Sequence, residues 1–166
     1  MALTLIVLRH AKSGWGDPSL PDHERSLTER GHRDATAVGN WLSAQGHVPD
    51  LILSSDATRT AQTIAEVTSG LGQDVQTQYL PMLYNASADT ILRVIRKQTA
   101  ATLLVCAHNP GIGQLAAQLA KVQPHHARFA DYPTAATAVL SFDAASWAEV
   151  STGICLSFII PADLKT

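Results

Sequence analysis

The apolar positions of this chain fall into two kinds of block, and the blocks take turns. Leu3 to Leu8 is a continuous apolar, β-branched run. Such a run predicts a short strand buried on both faces. After it, Ala35, Val38, Leu42 and Gln45 recur at helical spacing, with Trp41 beside them. Thr28 suits the N-cap of that helix, Glu29 its first turn and Gly46 its stop. Leu51 to Ser55 reads as a second buried strand. Ala57, Ala61, Ile64, Ala65, Thr68 and Leu71 then mark one face of a second helix, ended near Gly70 and Gly72. Val75 to Tyr79 alternates weakly, as an edge strand does. Asn85 to Asp89 is a turn or cap before a third helix carrying Ile91, Leu92 and Ile95 to about Gln98.

Thr102 to Ala107 is the clearest central strand, and Ile112, Leu115, Ala116 and Leu119 follow at helical spacing. Ala135 to Phe142 and Gly153 to Ile160 are the last two strands. The short link at Ala144 to Trp147 implies that they pair antiparallel. Strands that alternate with helices predict an α/β fold. The expectation is a three-layer α/β/α sandwich: a mostly parallel sheet of about six strands with helices on both faces. No internal repeat or linker divides residues 1–166, so one domain is expected. Two long irregular segments stand out, residues 9–27 and 122–133. Long loops in compact domains usually carry function.

Composition narrows the class without naming an activity. The chain has 166 residues, 46% apolar and 16% charged, with a net charge of -2. Disorder needs the opposite balance. Nucleic-acid binding through bulk positive charge is not expected. No apolar run approaches the ~20 residues of a membrane span. The N-terminal run leads straight into Arg9-His10 and reads as a strand, not a signal peptide. Cys106 and Cys155 lie in apolar runs and read as buried free thiols, which fits a reducing cytoplasm. Nothing points to a coiled coil or swapped arm, so a monomer is expected.

In open α/β sheets, ligands bind beyond the carboxyl ends of the strands. The first strand ends at Arg9-His10, the second at Ser54-Ser55 with Arg59 just beyond, and the fourth at His108. Separate segments therefore bring two arginines and two histidines to one edge. The helix near Pro110 adds a positive end with free backbone N–H groups, Pro110 suiting its first position. Arginine forks match phosphate oxygens. A histidine among them is a candidate nucleophile, and a second can stabilise the transferring phosphoryl group with its hydrogen bond and charge. Taken singly, each residue also reads as an ordinary one: a solvated Arg-His pair, His108 capping a helix, Arg59 paired with Asp56. Their joint placement favours chemistry. The phosphate-loop and dinucleotide glycine patterns do not occur. His125-His126 with Asp131 is a loose zinc candidate that reads better as a solvated loop.

Motifs in order along the chain carry a resemblance. They are Leu8-Arg9-His10-Ala11-Lys12-Ser13, Arg25-Ser26-Leu27-Thr28-Glu29-Arg30-Gly31 and Pro49 to Ser55 with Arg59-Thr60-Ala61-Gln62-Thr63. Then come Leu83-Tyr84-Asn85-Ala86-Ser87, His108-Asn109-Pro110-Gly111 and Tyr132-Pro133-Thr134-Ala135-Ala136. From about residue 3 to residue 160 the chain resembles the histidine phosphatase superfamily, in its phosphohistidine phosphatase branch of the SixA type. The resemblance implies that His10 is the nucleophile, forming a phosphohistidine intermediate that water hydrolyses. It implies that Arg9 and Arg59 grip the phosphoryl oxygens and that His108 faces His10. Arg25 and Asn109 are further candidates for holding phosphate. It implies no metal and no organic cofactor. The expected partner is a histidine-phosphorylated signalling protein or a small phosphate ester.

The chain departs from the wider family in places. Ala11 stands where glycine is common, so the backbone there must avoid positive φ. Ser26 stands where the branch often has proline. Tyr79 to Asn85 holds no carboxylate, where many members have a glutamate acid. A phosphoramidate leaving group needs little acid help, which fits phosphohistidine. Asp22, with Asp17 and Glu24 as alternatives, is the candidate proton donor on the long loop. Two further readings stand beside the phosphatase. A phosphate-recognition module without turnover explains the arginines but not the pair of histidines. A phosphoglycerate mutase-like phosphotransferase is disfavoured by the short chain and the missing glutamate.

Overall fold

A computed structural model describes residues 2–165. Six strands form one sheet: β1 (Ala2–Arg9), β2 (Leu51–Ser54), β3 (Thr77–Tyr79), β4 (Thr102–Ala107), β5 (Thr137–Asp143) and β6 (Ile154–Ile159). Their order is β3-β2-β4-β1-β5-β6. β3, β2, β4 and β1 run parallel, while β5 and β6 are antiparallel additions beside β1. The helices are α1 (Glu29–Ala44), α2 (Thr58–Leu71), α3 (Ala88–Arg96) and α4 (Gly111–Leu119).

The strand alternation sorts the core into two layers. From β1, Leu3, Leu5 and Val7 face a cluster built with Ile91, Ile95, Ile112 and Leu115 of α3 and α4. Ile6 and Leu8 face the other way, against Ala35, Val38, Ile64 and Val67 of α1 and α2. Central strands with both faces covered must have apolar centres, and Leu5 to Leu8, Leu51 to Leu53 and Leu103 to Ala107 supply them. The three-layer α/β/α sandwich expected from the pattern is the observed one.

Element ends follow the expected chemistry. Thr28 caps α1, its hydroxyl accepting from the Gly31 N–H at 3.0 Å. Ser87 caps α3 in the same way through the Thr90 N–H. Gly72 closes α2 at φ 76°, a conformation glycine adopts without a Cβ penalty. Two boundaries differ. Pro110 is the N-cap of α4, and the helix begins at Gly111. The connection from β5 to β6 is longer than the short link expected, because Trp147–Glu149 folds into a 3-10 turn with Trp147 buried.

Topology places the site. β4 lies between β2 and β1, with Arg9 beside Ala107 and Ser54 beside Cys106. The residues that follow these strands, His10, Ser55 and His108, therefore emerge at the same sheet edge. His10 N–H bonds the Ala107 carbonyl at 3.2 Å, and Ser55 N–H bonds the Cys106 carbonyl at 3.0 Å. Among the described residues no helix is long and apolar enough to cross a membrane.

Candidate active site

His10 and His108 face each other with ring centroids 5.3 Å apart. Both lie almost wholly buried at the base of a cavity of about 350 Å³, whose lining includes Arg9, Arg25, Arg59 and Asn109. The imidazole of His10 has a fixed tautomer. Its Nδ1 lies 2.8 Å from the Ala11 carbonyl oxygen, which can only accept. The proton therefore sits on Nδ1, and Nε2 keeps a lone pair. Ala11 is held in turn by its own N–H, which donates to Thr63 Oγ1 at 3.0 Å. Ala11 does not have a positive φ, as alanine requires.

His108 is oriented by Ser55. Its Nε2 lies 2.8 Å from Ser55 Oγ, and that oxygen already accepts the Ala57 N–H at 3.2 Å. The hydroxyl can donate to Nε2 or accept from it, so the contact fixes the ring's orientation. Nδ1 is buried and has no partner among the described residues. The Nε groups of Arg9 and Arg59 share that condition. Buried donors are seldom left unpaired. All three residues line one cavity, whose basic walls suit an oxyanion.

Burial sets the charge state of the histidines. It lowers His10 to about 3, helped by the positive charges of Arg9 and Arg59 and by His108. It lowers His108 to about 4, again with Arg59 and Arg9 contributing. At neutral pH both rings are uncharged in the empty site. The sequence reading gave His108 a positive charge, and burial among arginines removes it. The pocket's positive charge comes from Arg9, Arg25, Arg59 and Lys12.

Arg59 is anchored by the long loop. Its Nη1 donates to the Asp22 carbonyl at 2.7 Å and its Nη2 to the Asp22 carboxylate at 3.0 Å. Arg25 Nε donates to the same carboxylate at 3.0 Å, and the Tyr84 hydroxyl donates to it as well. The Tyr84 hydroxyl, then Arg59 and Arg25, hold the Asp22 carboxyl well below the usual carboxylate range. This geometry argues against the proton-donor role expected of Asp22 from the sequence: a carboxylate kept ionised has no proton to donate, and this one holds Arg59. Asp56, considered as a partner of Arg59, instead pairs with His23 at 2.8 Å.

Asn109 is corrected too. It lines the cavity, but its Nδ2 donates to the Asp131 and Tyr132 carbonyls, both at 3.0 Å. Its Oδ1 accepts the Gly113 N–H at 3.2 Å. The amide is spent on fastening α4 to the segment 131–132. The first turn of α4 is thereby closed as an anion cradle, since the Ile112 N–H also bonds the His108 carbonyl at 2.9 Å. The motif glycine has a packing reason: a Cβ on Gly111 would lie 1.9 Å from the Ala86 carbonyl oxygen.

Sequence reasoning missed Ser55, Thr63 and Tyr84 as parts of the site. Each lay inside a motif, but its task is a hydrogen bond made across the fold. Tyr84 also packs edge-on against His108, with centroids 5.3 Å apart. The loose zinc candidate disperses: His126 pairs with Asp163 at 2.8 Å and Asp131 with Arg128 at 2.9 Å.

Comparison with known proteins identifies the family. Residues 5–85 match the family model of the histidine phosphatase superfamily, branch 1. A protein of Mycobacterium tuberculosis strain H37Rv, itself uncharacterized, is 37% identical over 153 residues, covering 88% of this chain and 93% of its own. The phosphohistidine phosphatase SixA of Escherichia coli K12 is 27% identical over 121 residues, covering 70% of this chain and 74% of its own. A solved structure from Nakamurella multipartitia, assigned to the SixA phosphohistidine phosphatases, superposes with a TM-score of 0.80 at 32% identity and covers 97% of both chains. The chain belongs to the histidine phosphatase superfamily, in its SixA-type branch, and its activity class is that of a phosphatase.

Proposed function

We propose that the chain hydrolyses phosphohistidine carried on a protein, through a covalent phosphohistidine intermediate on His10. One observation carries the reading: the buried His10, with its Nδ1 proton committed to Ala11, keeps a bare Nε2 beside the unpartnered donors of Arg9, Arg59 and His108. The relative from Escherichia coli, a phosphohistidine phosphatase, supports the choice of substrate.

In the first step Nε2 of His10 forms a bond to phosphorus as the bond to the substrate imidazole breaks. The departing nitrogen takes a proton from solvent. Arg9 and Arg59 bind the equatorial oxygens, where charge is greatest in the transition state. His108 donates its Nδ1 proton to a phosphoryl oxygen as a neutral ring. In the second step water forms the new oxygen–phosphorus bond, its proton passes to solvent, and Nε2 recovers its lone pair. The Ala11 carbonyl stabilises the Nδ1–H while His10 bears the phosphoryl group. In this reading the guanidinium groups supply the charge that a metal supplies elsewhere, so a chelator should leave turnover unchanged.

The reading is tested by trapping. Labelled phosphate from a histidine-phosphorylated protein should appear on the wild-type chain after an alkaline quench and be lost in acid, as a phosphoramidate is. Trapped label that survives acid, or hydrolysis with no label on His10, would overturn the covalent step.

A further inference from the structure

Beside the catalytic cavity lies a second one of about 390 Å³. The two share Arg9, Lys12 and Thr134 in their walls. Arg30, Arg128 and Lys165 join Arg9 and Lys12 around the second cavity, and among the described residues Asp131 is its only lining carboxylate. The whole chain is net negative, at -2. Positive charge is therefore concentrated on this face against the overall balance.

The placement of Arg30 has a local cost. It stands in the first turn of α1, where the helix dipole is already positive and a cation is disfavoured. Its carboxylate partner Asp34 is buried, lies 3.4 Å away and is shared with Lys165 at 3.9 Å. Arg128 is chelated by Asp131 through Nε and Nη2. These cations are exposed, the Arg30, Arg128 and Lys165 side chains retaining 58%, 49% and 65% of their accessibility. They spread a positive field over a groove that opens from the phosphoryl pocket.

We propose that this groove docks an acidic segment of the protein that carries the phosphohistidine, with Lys12 and Thr134 at the junction of the two cavities. The proposal rests on the phosphohistidine reading above and adds its sequence context: carboxylates flanking the modified histidine. Spread cations act mainly on encounter and on KM, and salt screens them.

The test uses two synthetic peptides, each with one phosphohistidine, flanked by glutamates in one and by serines in the other. At low salt the glutamate peptide should show a kcat/KM about 10-fold or more above the serine peptide, through KM, with the advantage lost at high salt. Replacing Arg30, Arg128 and Lys165 together by Glu should abolish or reverse the preference while p-nitrophenyl phosphate turnover stays within about twofold. Reversal leaves the buried Asp34 facing like charge, so the triple Gln variant serves as a second form and should lose most of the preference. An unchanged preference in the folded Gln variant would overturn the proposal.

Failure of the substrate reading is distinguishable. If neither phosphopeptide is hydrolysed while p-nitrophenyl phosphate is, phosphohistidine is wrong. The groove is then read from inhibition of p-nitrophenyl phosphate turnover by the unphosphorylated peptides. Stronger, salt-sensitive inhibition by the glutamate peptide, lost in the Gln variant, supports the groove, and equal inhibition refutes it. A small bisphosphate that shows the same advantage over its monophosphate, and loses it in the Gln variant, would assign the groove to small ligands and overturn the docking of a protein segment.

Discussion

The floor and the side wall of the catalytic cavity are built differently. The floor is made of strand ends: Arg9 closing β1 and His10 after it, Ser55 after β2, His108 after β4. Its backbone is tied into the sheet, and its histidines are almost wholly buried. The wall is the loop between β1 and α1, carrying Trp15, Asp22 and Arg25. That loop has little regular structure beyond a 3-10 turn at Asp22–Glu24, and Trp15 is 65% exposed. The floor fixes the geometry of the reacting atoms. The wall lines the cavity through Trp15 and Arg25, and it positions Arg59, which Asp22 holds with two hydrogen bonds. Removing a floor residue should therefore damage kcat, and removing a wall residue should mainly loosen phosphate binding.

The largest effect should come from His10→Ala. Loss of a covalent nucleophile removes about three or more orders of magnitude in turnover. The melting temperature should change little, because a strand-end ring at the cavity contributes little to the core. Retention of a tenth of wild-type turnover would remove His10 from the nucleophile's role and erase the contrast between floor and wall.

Arg59→Ala should come next, and it joins the two regions. Charge-assisted hydrogen bonds are worth about 1.5–3 kcal/mol each, so one to two decades of kcat/KM should be lost together with vanadate inhibition. Arg59→Lys should recover only part, since an ammonium cannot reproduce the fork. Asp22→Asn sharpens the comparison. If Asp22 positions Arg59, the variant loses about 10-fold on every substrate alike, through weaker vanadate binding and a higher KM. If Asp22 were a proton donor, the loss would be large for an alkyl phosphate and small for p-nitrophenyl phosphate. The ionised state of its carboxyl argues for the uniform loss.

This pair of outcomes marks how far the sequence could be read. The apolar blocks and the strand-end rule led to Arg9, His10, Arg59 and His108 lining one cavity. Strand ends are legible because the sheet dictates where the next residue must emerge. The partner of Arg59 was not legible. Asp56 is three residues away along the chain, and Asp22 is thirty-seven. Only the fold brings the loop across, helped by Gly31, where a Cβ would lie 2.1 Å from the Lys12 carbonyl oxygen. Asn109 was misread for the same reason. Its amide looked free in sequence but is engaged by carbonyls twenty-two and twenty-three residues away.

Acid should separate the regions by stability. A histidine held neutral in the fold, at about 3 for His10 and about 4 for His108, takes up its proton more readily when unfolded, near 6.5. The unfolded chain then binds more protons, so stability falls as pH drops from about 6.5 toward 4. Above pH 6.5 the two rings contribute no slope. Asp22 in the wall, with its lowered carboxyl, adds stability that is present above the ordinary carboxylate value and lost only as pH falls below it. Melting temperature against pH should show the first decline beginning near 6.5, and His108→Asn should make it shallower. A wild-type curve flat between pH 7 and 5 would mean that the histidines titrate normally in the fold, leaving the floor less buried than the geometry requires.

The smallest effect should belong to Arg25, at the outer edge of the wall. Its guanidinium stacks over the Trp15 ring at 3.9 Å and its Nε reaches Asp22 at 3.0 Å. Partly exposed ion pairs and exposed cation–π contacts are each worth about 1 kcal/mol or less. Asp22 keeps Arg59 and Tyr84 when Arg25 is gone, so Arg59 should stay in place. Arg25→Gln should therefore raise KM about two- to fivefold and leave kcat unchanged. Trp15→Ala should raise KM less, and the two changes together should cost no more than Arg25→Gln alone, because the stacked ring acts through the arginine. A fall in kcat matching that of Arg59→Ala would show Arg25 gripping the phosphoryl group directly. The wall would then be part of the reacting constellation, and the division between floor and wall would fail at its weakest point.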